Sequence, residues 1–198
     1  LFRSTAISAG GSHSCALLAN GTAKCWGFNG AGQLGNASTM NSSVPVTVTG
    51  LSGATAITAG KAHSCALLAG GTAKCWGWNG DGQLGNGTNS GPQSCGNDPC
   101  STTPVTVTGL TGATTITARE ENSCALLANG TAKCWGNNSW GQLGNGTTTD
   151  SSVPVTVTGL SGATAISAGY FHSCALLAGG TAKCWGYNVR GELGIGTS

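Results

Sequence analysis

The segment Ser14-Cys-Ala-Leu-Leu-Ala-Asn-Gly-Thr-Ala-Lys-Cys-Trp-Gly27 occurs four times in this chain with almost no change. The other three copies begin at Ser64, Ser123 and Ser173. The first cysteines of successive copies are 50, 59 and 50 residues apart. A fixed period of this size is typical of repeat architectures such as propellers and solenoids. A feature present in every copy is therefore assigned to the scaffold, and a feature present in one copy is a candidate for function.

The units are built from the same kinds of short strand-forming segment. The stretch Val44-Pro-Val-Thr-Val-Thr-Gly50 alternates valine and threonine, which predicts a strand with two different faces. A second short strand is predicted over 54–60, and the cysteine segment that follows is typical of a hairpin. Four short strands per unit of about fifty residues, with no helical period, predict an all-β fold of propeller-type blades.

We expect one repeat domain over residues 1–198, with blades at about 1–43, 44–102, 103–152 and 153–198. These boundaries put each Pro-Val strand at the start of its blade, so the first unit lacks that strand. The chain also starts inside a repeat and not at a methionine, which indicates a processed or truncated piece. We therefore expect an incomplete ring, or part of a larger assembly, and not a closed four-bladed monomer.

The hairpin turn determines which cysteines face each other. A three-residue loop Ala19-Asn20-Gly21, with glycine in the left-handed position, pairs Leu18 with Thr22 and places Cys15 opposite Cys25. Directly opposed cysteines are close enough to bridge. Small buried thiols in a cytosolic protein are the alternative, but four coincident pairings favour disulfides. The predicted pairs are Cys15–Cys25, Cys65–Cys75, Cys124–Cys134 and Cys174–Cys184. Ten cysteines in such pairs indicate an oxidising compartment, either extracellular or at the cell surface.

An inserted loop over 89–102 accounts for the longer step between the second and third units. It carries its own pair, Cys95 and Cys100. A metal site would need further thiolate or imidazole ligands, and the loop supplies none. We therefore expect a disulfide that closes a surface loop, in the place where specific recognition is expected on a repetitive scaffold.

These units resemble the repeat of the regulator of chromosome condensation family. The landmarks that carry the resemblance are Gly60 and His63, Ala66-Leu67, Gly71, Trp76-Gly77, Asn79 and Gly82-Gln83-Leu84-Gly85. They recur, with some losses, over essentially the whole chain. The resemblance implies four-stranded blades, of which complete members usually have seven. The cysteine pairs resemble the variant found in bacterial, exported members, since in the nuclear exchange-factor branch the two positions are usually not both cysteine.

The titratable residues do not form a catalytic set. His13, His63 and His172 occupy one repeat position, which is Asn122 in the third unit. A metal site on these histidines is the alternative to a structural hydrogen-bonding role, which we favour because the asparagine breaks the set. The six acidic residues form no repeated pair suited to acid–base chemistry. We expect no catalytic residue, no cofactor and no metal.

Candidate contact residues are those that break the repeat. Two extra tryptophans and the charged break in the third unit are the clearest cases, namely Trp78, Trp140, Arg119, Glu120 and Glu121. Asn-x-Ser/Thr sequons make seven asparagines candidate glycan acceptors. These are Asn20, Asn36, Asn41, Asn86, Asn129, Asn137 and Asn145.

Together these features predict a non-enzymatic, extracellular scaffold protein that associates with itself, into filaments among other forms. The expected partners are other copies or flanking repeats, or else another protein or a glycan. One alternative is a protein- or glycan-binding module of a larger secreted adhesin or inhibitor. Another is a guanine-nucleotide exchange factor for a small GTPase. A net charge of +2 is too small and dispersed for nucleic-acid binding, and no apolar run reaches membrane-spanning length.

Overall fold

A computed structural model describes residues 3–197, and over this range the chain forms sixteen strands in four antiparallel sheets. The first sheet contains β1 (Ser4–Ala9), β2 (His13–Leu18), β3 (Ala23–Gly27) and β4 (Ser42–Thr47), in that order. The second contains β5 (Ala54–Ala59), β6 (His63–Leu68), β7 (Ala73–Trp78), β8 (Gln93–Cys95) and β9 (Asp98–Thr106), in the order β5-β6-β7-β9-β8. The third contains β10 (Ala113–Arg119), β11 (Asn122–Leu127), β12 (Ala132–Gly136) and β13 (Ser151–Thr156). The fourth contains β14 (Ala163–Ala168), β15 (His172–Leu177) and β16 (Ala182–Gly186).

The sheets divide the chain differently from the blade boundaries expected at 43/44, 102/103 and 152/153. Each Pro-Val strand pairs with the hairpin before it, not with the one after it: β4 lies beside β3, with Val46 opposite Cys25. Proline is tolerated there because β4 is the edge strand of its sheet. The first sheet is consequently complete, and the fourth has three strands among the described residues. The expectation that the first unit lacks a strand is corrected by this pairing.

The hairpin register is the one predicted from the turn. Leu18 and Thr22 are joined by a backbone hydrogen bond of 2.8 Å, and Gly21 has a φ of 75°. Cys15 then lies opposite Cys25, and the other three hairpins repeat this pairing. All five predicted cysteine pairs, including Cys95–Cys100, are present as disulfides.

The hydrophobic core lies between successive blades. One face of a blade supplies its disulfide, a leucine and an alanine, and the next blade supplies an isoleucine and alanines. Between the first two blades, Leu17 and Leu34 pack with Ile57 and Trp76. Each blade therefore buries its neighbour's face, which is the nearest-neighbour packing expected of repeat proteins.

The sheets do not close on themselves, which fits an incomplete ring. The first strands of successive blades, β1, β5, β10 and β14, contact one another in turn. Among the described residues, no helix is long and apolar enough to cross a membrane.

Candidate functional site

The repeated serine and tryptophan of one blade donate hydrogen bonds to the main-chain carbonyl of a glutamine in the preceding blade, a contact that we call the latch between blades. The Gln33 carbonyl accepts hydrogen bonds from the Ser64 hydroxyl (3.0 Å) and the Trp76 indole Nε1 (2.9 Å) of the next blade. The latch is repeated by the Gln83 carbonyl with Ser123 and Trp135, and by the Gln142 carbonyl with Ser173 and Trp185. These repeated residues have structural partners and are not a site for a ligand.

The repeated histidines extend the latch. Nε2 of His13 lies 2.7 Å from the Ser64 hydroxyl, and Nε2 of His63 lies 2.9 Å from that of Ser123. Burial lowers the pKa of His13 to about 4 and that of His63 to about 3, so both imidazoles are neutral at pH 7. The structural role favoured from the sequence is therefore supported by specific hydrogen bonds.

In the third blade an asparagine replaces the repeated histidine and makes a different contact. Asn122 is buried, and its amide Nδ2 donates to the sulfur of Cys124 at 3.9 Å. His172 is half-buried in the fourth blade and lines a cavity. Residues 3–197 contain no group of three or more His, Cys, Asp or Glu side chains arranged to hold a metal.

In the first three blades, the loop after the hairpin is organised by a buried asparagine. In the first blade, Oδ1 of Asn29 accepts from the Leu34 amide at 2.9 Å, and its Nδ2 donates to the carbonyls of Ser38 and Met40. Asn79 and Asn138 hold the loops of the second and third blades in the same way. These loops are consequently a constant frame on which the variable residues are carried.

Variable loop positions from the third and fourth blades meet in an aromatic cluster formed by Trp140, Tyr170, Phe171 and Tyr187. The ring centroids of Trp140 and Tyr187 are 4.9 Å apart, edge to face, and those of Tyr170 and Phe171 are 4.4 Å apart. Trp140 and Tyr170 are about half exposed. A cavity of about 370 Å³ beside the cluster is also lined by His172, Arg190 and Glu192. Exposed aromatic rings beside an arginine are typical of protein-binding surfaces.

The same loop positions carry different side chains between the first and second blades. There Phe28, Lys61 and Trp78 line a shallow depression of about 360 Å³, together with Asp98 of the inserted loop and Glu121 of the third blade. The two junctions therefore share one backbone frame but differ in side chains. Four aromatic rings meet at the junction of the third and fourth blades, whereas two rings lie among Lys61, Asp98 and Glu121 at the junction of the first and second.

The charged segment of the third unit contacts the second blade. Nζ of Lys61 lies 3.1 Å from Glu121 and 3.6 Å from Glu120, and the Lys61 amide donates to the Glu120 carbonyl. The hydrogen bond to Glu121 raises the pKa of Lys61. Arg119 is exposed at the end of β10. Two of the five candidate contact residues are thus engaged within the protein, and Trp140 and Arg119 remain the most exposed of them.

The inserted loop is built into the sheet and is not a detached surface loop. β8 pairs with β9, and Cys95 and Cys100 are buried. The Gln93 side chain accepts from the amide of Thr102 at 2.7 Å, and the Thr102 carbonyl accepts from the Ala37 amide of the first blade. The loop therefore widens the second blade and supports the neighbouring loop of the first.

The seven sequon asparagines lie in two kinds of turn. Asn20 and Asn129 are exposed at hairpin tips. Asn36, Asn41, Asn86, Asn137 and Asn145 lie in the loops that follow the hairpins, where their side chains take part in hydrogen bonds. Asn20, Asn41 and Asn129 are the exposed members of the set and therefore the more accessible candidates for a glycan.

Sequence reasoning named Trp140 but missed Tyr170 and Phe171 as members of a surface. The sequence feature that could have revealed them is their divergence from the repeat, because they occupy the positions that Lys61 and Ala62 hold in the second unit. The cluster also needs residues from two successive units, and only the packing of those units brings them together.

The two ends of the blade array expose the two halves of the internal interfaces. On the first blade Ile7 is 69% exposed, whereas its counterparts Ile57, Ile116 and Ile166 are at most 8% exposed. On the fourth blade Leu176 is 45% exposed, whereas Leu17, Leu67 and Leu126 are at most 4% exposed. We call these surfaces the Ile7 face and the Leu176 face.

Comparison with known proteins identifies the repeat. Family models described as Regulator of chromosome condensation (RCC1) repeat match residues 20–67, 72–126 and 129–176 in one case, and 5–33, 54–83 and 163–192 in the other. The RCC1 domain-containing protein RUG3, mitochondrial, of Arabidopsis thaliana is 44% identical over 50 residues, which are 25% of this chain and 11% of RUG3.

Solved structures show the same architecture. Prp20p from Saccharomyces cerevisiae superposes with a TM-score of 0.82 at 21% identity, covering 100% of this chain and 48% of Prp20p. The ectodomain of the Physcomitrella patens receptor kinase CR4 superposes with a TM-score of 0.55 at 27% identity, covering 94% of this chain and 41% of CR4. This chain thus spans less than half of each of these structures. Because the family-model matches cover more than half of its residues, the chain belongs to the regulator of chromosome condensation (RCC1) repeat family.

Proposed function

We propose that this protein is a non-enzymatic extracellular scaffold whose copies associate end to end. An RCC1-repeat propeller with disulfides fits a binding or scaffold module. The extracellular location and the end-to-end association are the parts that we add. The observation that carries it is a pair of matching faces. The Ile7 face and the Leu176 face are the two sides of an interface that forms three times within the chain, and either another copy or flanking repeats would cover them.

A second copy would meet the Leu176 face with the contacts of an internal junction. Ile7 would pack near Leu176 and the Cys174–Cys184 disulfide, as Ile57 packs near Leu17 and Cys15–Cys25. His172 and the Glu192 carbonyl stand where His13 and the Gln33 carbonyl bind Ser64, so both would bind Ser14 of the incoming copy. An interface between unlike ends produces either a closed ring or an open filament.

The extracellular assignment is supported by the chemistry of the cysteines. All ten are paired, and no free cysteine is present among the described residues. Disulfides persist in oxidising compartments and are rare in reducing ones. Purification of the native protein from culture medium or the cell surface, without reductant, would test this part of the proposal.

Two single variants test the end-to-end contact. Ile7→Asp disables one face and Leu176→Asp disables the other, so each alone should sediment as a single copy of 19.3 kDa while the wild type forms larger species. Mixed together, the two variants retain one intact face each and should form a 1:1 dimer that grows no further. Met40→Asp, at an exposed loop position outside both faces, is the matched control. A wild type that stays a single copy at every concentration would overturn the proposal.

The aromatic cluster supports a second function, the binding of another protein or a glycan. Its rings come from loop positions that differ between units, and Trp140 and Tyr170 are open to solvent. The structure of Prp20p is described with binding properties to Gsp1p and histones. At 21% identity that likeness concerns the fold, so we carry over neither partner and no exchange activity. Pull-down with Trp140→Ala and Tyr170→Ala variants, against a Phe28→Ala control, would test the surface.

A further inference from the structure

The junction of the first and second blades has a small residue where the other two junctions have a long side chain. The residue two positions after the buried loop asparagine lies against the next blade. In the second blade it is Asp81, whose carboxylate accepts a hydrogen bond from Asn137 of the third blade at 3.1 Å. In the third blade it is Trp140, whose ring lies 4.9 Å from that of Tyr187 in the fourth. In the first blade it is Ala31, whose side chain is a single methyl group.

The depression of about 360 Å³ at this junction takes the place of the longer side chain. It is lined by Ala31 and by Ala62 of the second blade. The junction of the third and fourth blades carries Trp140 and Phe171 at these two positions. Two alanines thus leave open a space that two large rings occupy elsewhere, so a side chain can enter it from outside. We propose that the depression binds an arginine side chain on an exposed segment of another protein.

Two aromatic rings supply the surface on which a guanidinium group would stack. Phe28 and Trp78 both line the depression, the first 47% exposed and the second half-buried. Each ring lies against a glycine of its own loop: a Cβ on Gly30 would lie 2.6 Å from Cζ of Phe28, and a Cβ on Gly80 would lie 2.5 Å from Cζ2 of Trp78. The glycines therefore allow the rings to lie close to the loop backbone. A guanidinium group is planar and weakly hydrated, so it stacks on such rings more readily than an ammonium group does.

The charges around the rings favour a cation. Asp98 of the inserted loop and Glu121 of the third blade line the depression. Lys61 lines it too, but its ammonium lies 3.1 Å from Oε1 of Glu121 and 3.6 Å from Glu120, so its charge is balanced within the protein. Oε2 of Glu121 can accept a further donor, and Asp98 is exposed and forms no ion pair within residues 3–197. The N–H groups of an arginine match carboxylate acceptors of this kind.

The depression brings together three departures from the repeat that are far apart in sequence. Asp98 belongs to the inserted loop of the second unit, Glu121 belongs to the charged segment of the third, and Ala31 stands where the other units carry larger residues. The scaffold is built from residues that recur, so the meeting of three exceptions in one place favours recognition over packing. All the lining residues come from the first three blades of one copy. The inference is therefore independent of end-to-end association.

An NMR titration with a single-arginine peptide tests the site. The peptide Ac-Gly-Gly-Arg-Gly-Gly-NH2 is added to the isotope-labelled, oxidised Leu176→Asp variant, which is expected to remain a single copy and is changed outside the depression. We expect the indole N–H signal of Trp78 to shift and to saturate with a Kd of about 1 mM, whereas that of Trp140 does not move. A peptide with citrulline, the neutral isostere of arginine, should bind at least about tenfold more weakly. Failure to saturate at about 10 mM peptide, equal binding of citrulline, or a shift at Trp140 in place of Trp78 would overturn the inference.

Two pairs of protein variants make the test specific. Ala31→Trp fills the depression with the residue that the third unit carries there, so it should abolish saturable binding. Met40→Trp adds a tryptophan at an exposed position outside the depression and should not affect binding.

The second pair removes one carboxylate and does not fill the site. Asp98→Asn should weaken binding about threefold to fivefold. Asp150→Asn removes the same charge outside the depression and keeps its loop hydrogen bond, since Asn41 accepts the equivalent bond in the first blade. It should change the affinity by less than about twofold. Equal losses within either pair would show non-specific attraction and reject the site.

Discussion

Nε2 of His63 lies 2.9 Å from the hydroxyl of Ser123 in the next blade, and both side chains are fully buried. This contact joins the second and third sheets, together with the hydrogen bonds of Ser123 and Trp135 to the Gln83 carbonyl and the main-chain bond from the Lys61 amide to the Glu120 carbonyl. The imidazole is held neutral because burial lowers its pKa to about 3. The junction between blades is therefore a place where acid weakens the fold.

We expect stability to fall as the pH drops from about 6.5 to about 4. The pKa values of His13 and His63 in the folded protein are about 4 and about 3, below their ordinary value of 6.5. In this window the unfolded chain binds protons that the folded one does not, so the free energy of unfolding decreases by up to about 1.4 kcal/mol per pH unit for each histidine. Urea unfolding between pH 7 and pH 4.5, followed by tryptophan fluorescence, measures the slope.

His63→Asn is the matched variant for that measurement, because the third unit naturally carries asparagine at this position. The variant should show about half of the wild-type slope. A slope that does not change in the variant would assign the acid sensitivity to other groups.

The tryptophan latch should contribute measurably to stability. In Trp135→Phe the Gln83 carbonyl loses the indole donor at 3.0 Å, in a site with no exposure to solvent. We expect a loss of about 1–3 kcal/mol in the free energy of unfolding. Trp140→Phe, at a half-exposed position, should change it by less than about 0.5 kcal/mol. Chemical denaturation of the two variants side by side decides the point, and equal effects would mean that the indole hydrogen bond is not stabilising.

The fourth hairpin disulfide should be the first to be reduced. Cys174 and Cys184 are half-buried, whereas the other three hairpin pairs have no exposed surface. Thiol–disulfide exchange depends on access of the attacking thiolate. Limited reduction of the Ile7→Asp variant, which is expected to remain a single copy, followed by alkylation and peptide mapping under native conditions, should label Cys174 and Cys184 before the others. Non-reducing mapping of the untreated protein checks all five pairs, and simultaneous labelling in the folded protein would contradict the expected order.

Local chemistry was sufficient to predict the hairpins but not the sheet boundaries. The loop Ala19–Gly21 determines which residues face each other, so the disulfides follow from sequence. The strand around Pro45 has two neighbours along the chain, and its alternating pattern suits pairing with either. The choice is made by contacts distant in sequence, among them the bond from Val48 to Ala23 and the burial of Val48 between blades.

The aromatic cluster was predictable only in part, again because contacts between residues distant in sequence form it. A repeat shows which positions diverge, and Trp140 was found in this way. It does not show which positions of successive units become neighbours, so the meeting of Trp140 with Phe171 and Tyr187 required the structure. Likewise, Glu120 and Glu121 break the repeat in sequence, yet they lie against Lys61 in the fold.

The last prediction concerns the inserted loop, because part of it belongs to a strand of the second blade. Because the inserted loop 89–102 breaks the repeat, the sequence alone predicts that it is dispensable for folding, which deletion of residues 90–101 would test. However, Ser101 is the second-blade counterpart of two serines in other edge strands. Ser101 lies opposite Gly77, just as Ser42 lies opposite Gly27 and Ser151 opposite Gly136. Ser101 is fully buried and donates to the Thr103 carbonyl. Deleting 90–101 should therefore damage the edge strand of the second blade.

A shorter deletion should be tolerated. The second unit is nine residues longer than the others, and removal of Gly91–Pro99 together with Cys100→Asn gives it the length and the serine of the first unit. In the first blade the Asn41 side chain accepts a hydrogen bond from the Asn29 amide at 2.8 Å. In the second blade the Pro99 carbonyl accepts the equivalent hydrogen bond from the Asn79 amide. The introduced asparagine can replace that acceptor, so the shortened blade keeps its loop frame. We expect a cooperative unfolding transition within about 1–2 kcal/mol of the wild type, and a clearly larger loss for the deletion of 90–101. If both deletions unfold the protein, the widened sheet of β8 and β9 is itself required for folding.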